Sequence, residues 1–206
     1  MATDASEERV RPNAQLRMGQ RLRDIRLARG VSGRALAERC GVSPSFISQV
    51  ESGQVSPSIA SLERITRALG VGISDLFEPG PLVSSYVTRA GQRTRLSSTW
   101  SRASIEAVIA PGEASQLDSV LITLGRGGAN ASKAQTAATE HLLFVLSGRM
   151  TLQVDGETHV LAAGDAAFVP AGGQFRLTNE GVAPGEVLLT APRSVAGPGL
   201  FRARLP

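Results

Sequence analysis

The sequence predicts an α + β protein of two domains, an all-α domain of five helices followed by an all-β barrel. Before about residue 80, apolar residues recur at the spacing of amphipathic helices. After it, short apolar segments alternate with turns rich in glycine, proline, asparagine and aspartate. The break falls at Glu78-Pro79-Gly80-Pro81, which ends a helix and begins an extended segment. The predicted parts are a flexible tail (1–12), a helical domain (13–78), a linker (79–85) and a barrel (86–206).

Capping residues mark the predicted helices. The first spans roughly Ala14–Ala28 and ends at Gly30. Three further helices begin at serine N-caps, and they run from Ser32 to Gly41, from Ser43 to Glu51, and from Ser58 to Gly70. Pro44 occupies the first position of the third helix, where its missing amide hydrogen costs no hydrogen bond. A short fifth helix is expected after Ser74.

The barrel is predicted from nine short segments at near-regular spacing: SSYVTR, SIEAVIA, SVLITLG, HLLFVLSG, RMTLQV, HVLAAG, AAFVPAG, FRLTN and GEVLLTAP. Asp155-Gly156 predicts a tight hairpin turn between two of them. The Gly- and Ala-rich run Gly125–Glu140 is either a mobile loop at the barrel mouth or a long strand connection.

Composition excludes several classes of protein. With 42% hydrophobic residues among 206, the chain can build a core, so wholesale disorder is excluded. It has no apolar run long enough to span a membrane and no apolar segment typical of a secretory signal, and it carries one cysteine. We therefore expect a cytoplasmic protein without an internal disulfide.

Basic charge is concentrated in the helical domain. Residues 13–70 hold nine arginines against four acidic residues, whereas residues 81–206 hold eleven basic and nine acidic ones. A basic surplus in one domain favours an anionic partner such as DNA. Nearly all basic residues of the chain are arginines. The alternative explanation of the basic surplus is therefore a general bias of the protein's composition towards arginine.

Two short helices joined by Cys40-Gly41-Val42-Ser43 predict a helix-turn-helix motif. The pattern Ala37…Gly41-Val42-Ser43…Ile47-Ser48-Gln49-Val50-Glu51…Gly53 resembles the phage-repressor (Xre-like) family. Members of that family dock on DNA through the second helix of the motif. The resemblance implies that the third helix enters the major groove of DNA. The alternative is a helical domain that has lost its DNA contacts or docks a protein.

The resemblance implies a set of DNA-contacting residues: Arg34, Ser43, Pro44, Ser45, Ser48, Gln49 and Ser52. Gln49 is expected to read adenine through its amide, and the alternative is a solvated surface glutamine. Ser43, the Ser52 amide and Arg34 are expected to meet phosphates. Arg26 and Glu51 match a family ion pair that orients the recognition helix. Cys40 is expected to be a small buried thiol rather than a redox switch.

The barrel segments carry a second resemblance. Gly164-x5-Pro170-x-Gly172-x2-Phe175-x3-Asn179 keeps the spacing of one motif of the cupin superfamily, and Gly148 after HLLFVLS anchors the other. Cupins are small double-stranded β-helix barrels of the jelly-roll type. The order of a repressor-type domain followed by a cupin is itself that of a known family of regulators.

Metal-binding cupins use three histidines and a glutamate. In this sequence the histidine positions fall near Gln135, Ala137 and Phe175, and the glutamate position falls on His141. The other histidine, His159, is distant in the motif from those positions. We therefore expect no metal and no cofactor.

The predicted effector pocket follows from motif position and strand alternation. Its expected residues are Gln135, His141, Leu143, Val145, Phe168 and Phe175. His141 is either a polar contact for a ligand or a hydrogen-bonded structural histidine.

These expectations favour a non-enzymatic transcription regulator over two alternatives. Its partners would be a near-palindromic DNA operator, a small-molecule effector and a second copy of the chain. One alternative is a metal-dependent oxygenase or epoxidase with a fused DNA-binding-like domain. The other is a barrel that serves only as a dimerisation scaffold.

Overall fold

The computed structural model of the protein describes residues 14–77, 87–93, 95–98, 102–109 and 116–192. The predicted tail (1–12) and linker (79–85) lie outside these ranges. Within them, no helix has the length and apolar character needed to cross a membrane. The predicted α + β class is confirmed, since helices form the first part of the chain and strands the second.

Four α-helices are described: α1 Ala14–Ala28, α2 Gly33–Cys40, α3 Pro44–Glu51 and α4 Ile59–Leu69. The side chains of Ser32, Ser43 and Ser58 cap the last three, each accepting the amide hydrogen of the residue three positions later. Gly41 ends α2 with a φ of 62°, a left-handed conformation that glycine adopts without strain. This turn sets the angle between α2 and α3.

The predicted fifth helix is instead a 3₁₀ turn over Ile73–Leu76. Its first residue is preceded by Gly72, whose amide donates to the Asp75 carboxylate at 2.9 Å, and Phe77 after it is extended. Ser74, after which the helix is expected to begin, is buried inside the turn. Four residues between an extended glycine and an extended phenylalanine leave no room for an α-helical turn to continue.

Close packing of α1 on α3 completes the helical core. Leu22, Ile47 and Val50 are fully buried there. A Cβ on Gly19 of α1 would lie 2.4 Å from the Val50 carbonyl oxygen, so only glycine permits this approach of the two backbones. The position of α3 therefore depends on α1.

Ten strands are described: β1 Arg95–Ser98, β2 Ala103–Ala107, β3 Leu117–Leu124, β4 Gln135–Thr136, β5 His141–Ser147, β6 Arg149–Val154, β7 Glu157–Ala162, β8 Ala166–Val169, β9 Gln174–Thr178 and β10 Gly185–Pro192. They form a six-stranded sheet in the order β1-β2-β3-β10-β5-β8 and a four-stranded sheet in the order β4-β9-β6-β7, with antiparallel pairs. The hairpin turn between β6 and β7 has positive φ at Asp155 (47°) and Gly156 (87°), as Asp-Gly predicts.

Two of the described strands were not predicted, and part of one predicted strand lies outside the described residues. The described part of SSYVTR, residues 87–89, is not a strand, and a 3₁₀ turn at Ala90–Gln92 follows it. The strands β1 and β4 have polar or very short sequences, so no apolar alternation marks them.

The run Gly125–Glu140 is a structured connection along β9. Its Asn130 exchanges hydrogen bonds with Leu177: the Asn130 amide donates to the Leu177 carbonyl at 3.1 Å, and the Leu177 amide donates to the Asn130 side chain at 2.9 Å. Asn179, the last residue of the cupin-like motif, is fully buried and donates to the carbonyl oxygens of Leu124 and Ala183, both at 2.8 Å. These asparagines hold the connection in place.

A carboxylate of the barrel binds the helical domain directly. Asp118 on β3 accepts hydrogen bonds from the amides of Ile73, at 2.6 Å, and Ser74, at 3.3 Å. Both amides open the 3₁₀ turn, where unpaired N–H groups need acceptors. The two domains are therefore joined by hydrogen bonds as well as by the chain.

Candidate functional site

The predicted DNA contacts lie on α3, at its two caps and, for Arg34, on α2. Arg34, Ser43, Pro44, Ser45, Ser48, Gln49 and Ser52 are all exposed. The buried face of α3 presents Ile47 and Val50 to the core, so the polar side chains share the opposite face. Ser43 is also the N-cap: its hydroxyl accepts the Phe46 amide at 3.2 Å and lies 2.9 Å from the Ser45 hydroxyl.

The structure corrects the role expected for the Ser52 amide. That amide donates to the Ser48 carbonyl at 3.0 Å, and the Ser52 hydroxyl donates to the Gln49 carbonyl at 3.2 Å. The amide is therefore committed to ending α3, and the hydroxyl oxygen is the group that remains to accept a hydrogen bond.

A buried ion pair holds α3 against α1. Arg26 donates to Glu51 through Nε at 2.6 Å and through Nη2 at 2.8 Å, and Nη1 donates to the Val31 carbonyl at 2.9 Å. Each side chain is only 10% exposed. The hydrogen bond with Glu51 raises the pKa of Arg26 above its ordinary value, so the pair stays charged. This bidentate geometry fixes the C-terminal end of α3.

Cys40 is buried at the end of α2. Its Sγ lies 3.7 Å from the Arg64 carbonyl oxygen of α4, which it meets as a weak donor. Burial raises the pKa of this thiol, which favours the protonated form. The residue packs α2 against α4.

A cavity of about 70 Å³ lies where α4 meets one end of the barrel. Of the six predicted pocket residues, Gln135 and His141 line it, while Leu143, Val145 and Phe175 do not. Those three are at most 1% exposed, because the two sheets pack their inner side chains together and fill the interior.

The prediction for Phe168 is wrong, because its side chain is 59% exposed. Phe168 on β8 pairs with Leu142 on β5, and Leu142 belongs to the outward-facing set of that strand. Paired residues share a face of the sheet, so Phe168 points outward.

His141 is a buried imidazole with an unpaired nitrogen. It is 6% exposed, and its ring meets Phe175 edge-on with centroids 5.2 Å apart. Its Nδ1 has no hydrogen-bond partner among the described residues. Burial lowers its pKa to about 4, so the ring is neutral at pH 7. The expectation of a hydrogen-bonded structural histidine therefore does not describe Nδ1.

The helical domain contributes charged groups that the sequence reasoning missed. Glu63, Arg64 and Arg67 of α4 line the cavity opposite Gln135 and His141. Arg64 Nε is buried without a partner among the described residues, and its Nη2 reaches the Ser61 hydroxyl at 3.4 Å. Nothing in the local sequence of α4 marks these residues, because the barrel that packs against α4 is distant along the chain.

Burial raises the pKa of Glu63 to about 7, with Asp118 raising it further and Arg67 opposing the shift. A carboxyl with such a pKa is partly protonated at neutral pH. It can then donate as well as accept a hydrogen bond.

Glu63 and His141 are expected to give stability opposite dependences on pH. His141 titrates near pH 6.5 unfolded and near pH 4 folded, so its contribution is lost as pH falls through that window. Glu63 titrates near pH 4.5 unfolded and near pH 7 folded, so its contribution is lost as pH rises through its window. The charged groups facing them are Arg64, Arg67 and Asp118.

Urea unfolding of His141→Gln and Glu63→Gln, at pH 7 and pH 4.5, separates the two effects. On going from pH 7 to pH 4.5, the free energy of unfolding of His141→Gln should change more favourably than that of the parent, by about 2 to 3 kcal/mol. That of Glu63→Gln should change less favourably than that of the parent. Equal pH profiles for parent and variants would contradict both assignments.

The residues at the cupin metal positions do not fit a metal. Gln135, Ala137 and Phe175 replace the histidines, and His141 alone offers a strong nitrogen donor there. His159 lies on β7, half exposed, 3.4 Å from Glu157. The part of the chain that the structure describes contains no group of three or more His, Cys, Asp or Glu placed to hold a metal ion.

Comparisons with known proteins agree with this architecture. A family model described as a helix-turn-helix domain matches residues 17–76, and one described as a cupin domain matches residues 120–191. The HTH-type transcriptional regulator PuuR of Escherichia coli (strain K12) is 26% identical over 154 residues, which cover 75% of this chain and 83% of that protein.

Two further matches extend the comparison. Control protein C.BamHI of Bacillus amyloliquefaciens is 37% identical over 67 residues, which cover 32% of this chain and 83% of that protein. The crystal structure of an HTH_3 family transcriptional regulator from Vibrio cholerae has a TM-score of 0.67 at 21% identity and covers 86% of this chain and 96% of that chain. That structure therefore shares the fold of this chain.

Proposed function

Since the chain belongs to the family of regulators that join an Xre-type helix-turn-helix domain to a cupin domain, we propose that it is an effector-responsive, dimeric regulator of transcription. It binds a specific operator through α3, and its barrel domain binds a small organic effector. The proposed location is the bacterial cytoplasm, because a regulator of transcription acts on the chromosome there. The proposed domain limits are residues 13–78 and 86–206.

The observation that carries the DNA-binding proposal is the exposed polar face of α3, held by the buried Arg26–Glu51 pair. A rigidly placed helix N-terminus favours phosphate contacts, and polar side chains one turn further along reach base edges. Gln49 is the residue best suited to a bidentate contact with adenine. The other exposed residues set register and affinity.

Gln49→Ala tests base reading. It is expected to weaken binding to the specific operator by about 1–3 kcal/mol, with little effect on random DNA, because only base contacts carry sequence information. Fluorescence anisotropy with both duplexes measures this difference, with the exposed Gln153→Ala on β6 as the control. Equal losses on the two duplexes would refute base reading by Gln49.

Dimerisation is supported by an apolar outer surface of the six-stranded sheet. Leu142, Phe144 and Leu146 on β5 and Phe168 on β8 are 38–59% exposed. The pairing of Leu142 with Phe168 makes these side chains one continuous patch. A self-complementary patch between two copies would give the paired recognition helices the two-fold symmetry that a near-palindromic operator requires. We call this surface the β5–β8 face.

The barrel acts by binding rather than by catalysis in this proposal. The residue types at the metal positions support it, because an oxygenase site of the cupin type needs convergent histidines and a carboxylate. The polar residues that line the cavity, two of which have an unpaired buried atom, support an organic ligand instead.

We expect the purified protein to contain iron, zinc, manganese and nickel well below one equivalent per chain. Elemental analysis of the protein, before and after incubation with each metal and desalting, checks this. About one equivalent per chain, lost in His141→Ala, would contradict it and favour a metalloenzyme.

A further inference from the structure

The cavity between α4 and the barrel is lined by both domains. Glu63, Arg64 and Arg67 come from the helical domain, whereas Gln135, His141 and Leu189 come from the barrel. By the usual space that an enclosed water needs, about 70 Å³ accommodates roughly five waters. A ligand of similar size is a small organic molecule with a short carbon chain.

Two residues that line this cavity each have a buried polar atom without a partner among the described residues: Arg64 Nε and His141 Nδ1. Leaving such groups unpaired is costly, so native proteins rarely do so without a ligand or water to complete them. Arg64 Nε can only donate, and it therefore needs an acceptor. A guanidinium is best matched by a carboxylate, because its parallel N–H groups can donate to both oxygens.

The charges around the cavity also favour an anion. Asp118 is committed to the amides of Ile73 and Ser74. Burial raises the pKa of Glu63 to about 7, so its negative charge is partly removed at neutral pH. Arg64 and Arg67 then give the cavity a positive charge, which an anionic ligand would neutralise.

The barrel side of the cavity suits the other end of such a ligand. Val120, Leu189 and Ala191 present apolar groups to a carbon chain. The neutral His141 ring offers one donor and one acceptor to a polar substituent.

We propose that this cavity is the effector site and that it binds a short organic carboxylate, with the carboxylate on Arg64 and Arg67 and the carbon chain toward His141. The inference rests on the proposed function, because it specifies the effector site of that regulator. A ligand held from both sides couples the barrel to α4. The Cys40 thiol of α2 meets the Arg64 carbonyl, so α4 in turn contacts the first helix of the helix-turn-helix motif.

The test is isothermal titration of the full chain with propionate, butyrate, valerate and hexanoate, each beside its primary amide and the alkylamine of equal length. We expect saturable binding of at least one acid, with the matched amide and amine weaker by about tenfold or more, since a charge-assisted hydrogen bond is lost. Saturating acid should also change the operator affinity, measured by anisotropy. By linkage, operator DNA should change the affinity for the acid by the same factor.

Arg64→Gln should weaken acid binding by about tenfold or more, whereas Arg64→Lys should keep part of it. Arg149→Gln, at an exposed arginine outside the cavity, should bind the acid as the parent does. Urea unfolding of each variant shows that it is folded. Binding of amides or amines as tight as that of acids, no binding of any acid, or an unchanged affinity in Arg64→Gln would overturn the inference. Operator binding by the ligand-free protein tests the proposed function separately.

Discussion

Replacing Glu51 with glutamine is expected to lower the free energy of unfolding of the helical domain by about 3 kcal/mol. The variant leaves the Arg26 guanidinium buried at the α1–α3 contact without its counter-charge. It also removes the bidentate geometry that fixes the end of α3, so operator affinity should fall although Glu51 touches no base. Urea unfolding and operator anisotropy measure the two effects.

The control for Glu51→Gln is an ion pair on the surface of the barrel. Arg95 and Glu106 are 2.7 Å apart, but the Arg95 side chain is 56% exposed. Glu106→Gln should therefore cost under about 1 kcal/mol. If Glu51→Gln unfolds at the same urea concentration as the parent, the Arg26–Glu51 pair does not orient α3.

The double variant Leu142→Glu/Phe144→Glu is expected to convert the proposed dimer to a monomer and to lower operator affinity by about 100-fold or more. Two charges in the β5–β8 face would have to be desolvated on pairing, which an apolar interface cannot compensate. A monomer binds two half-sites independently and loses the high effective concentration of the second recognition helix. Light scattering gives the mass, and anisotropy gives the affinity.

Val160→Glu supplies the matched control for this face. Val160 is 59% exposed on β7, in the other sheet. Its variant should stay dimeric and keep parental operator affinity. A double variant in the β5–β8 face that remains dimeric would show that the chain pairs through another surface.

Local features of the fold were predictable from the sequence because their physics is local. Ser32, Ser43 and Ser58 cap helices through hydrogen bonds to residues three positions away, and Asp155-Gly156 closes a turn by its own backbone preference. Family resemblance added the Arg26–Glu51 contact, which joins residues from different helices.

The features that could not be predicted depend on contacts between distant segments. Glu63, Arg64 and Arg67 look like ordinary polar residues of a surface helix, and only the packing of α4 against the barrel makes them line a cavity. Phe168 is predicted to line the interior but faces outward. Its orientation depends on the pairing of β8 with β5, which places it beside Leu142, and this pairing is not evident from the sequence. Leu143 and Val145 do point inward, but the interior they enter is filled, and the cavity lies at its end.

Selection of duplexes from a random library by the full-length protein tests the central claim most directly. We expect enrichment of a near-palindromic sequence with half-sites about ten base pairs apart, because two α3 helices would meet successive major-groove faces. The Gln49→Ala protein should lose preference at one base position in each half-site. Recovery of a pool no different from the starting library, by a protein shown to be folded, would contradict the account of this chain as a sequence-specific regulator.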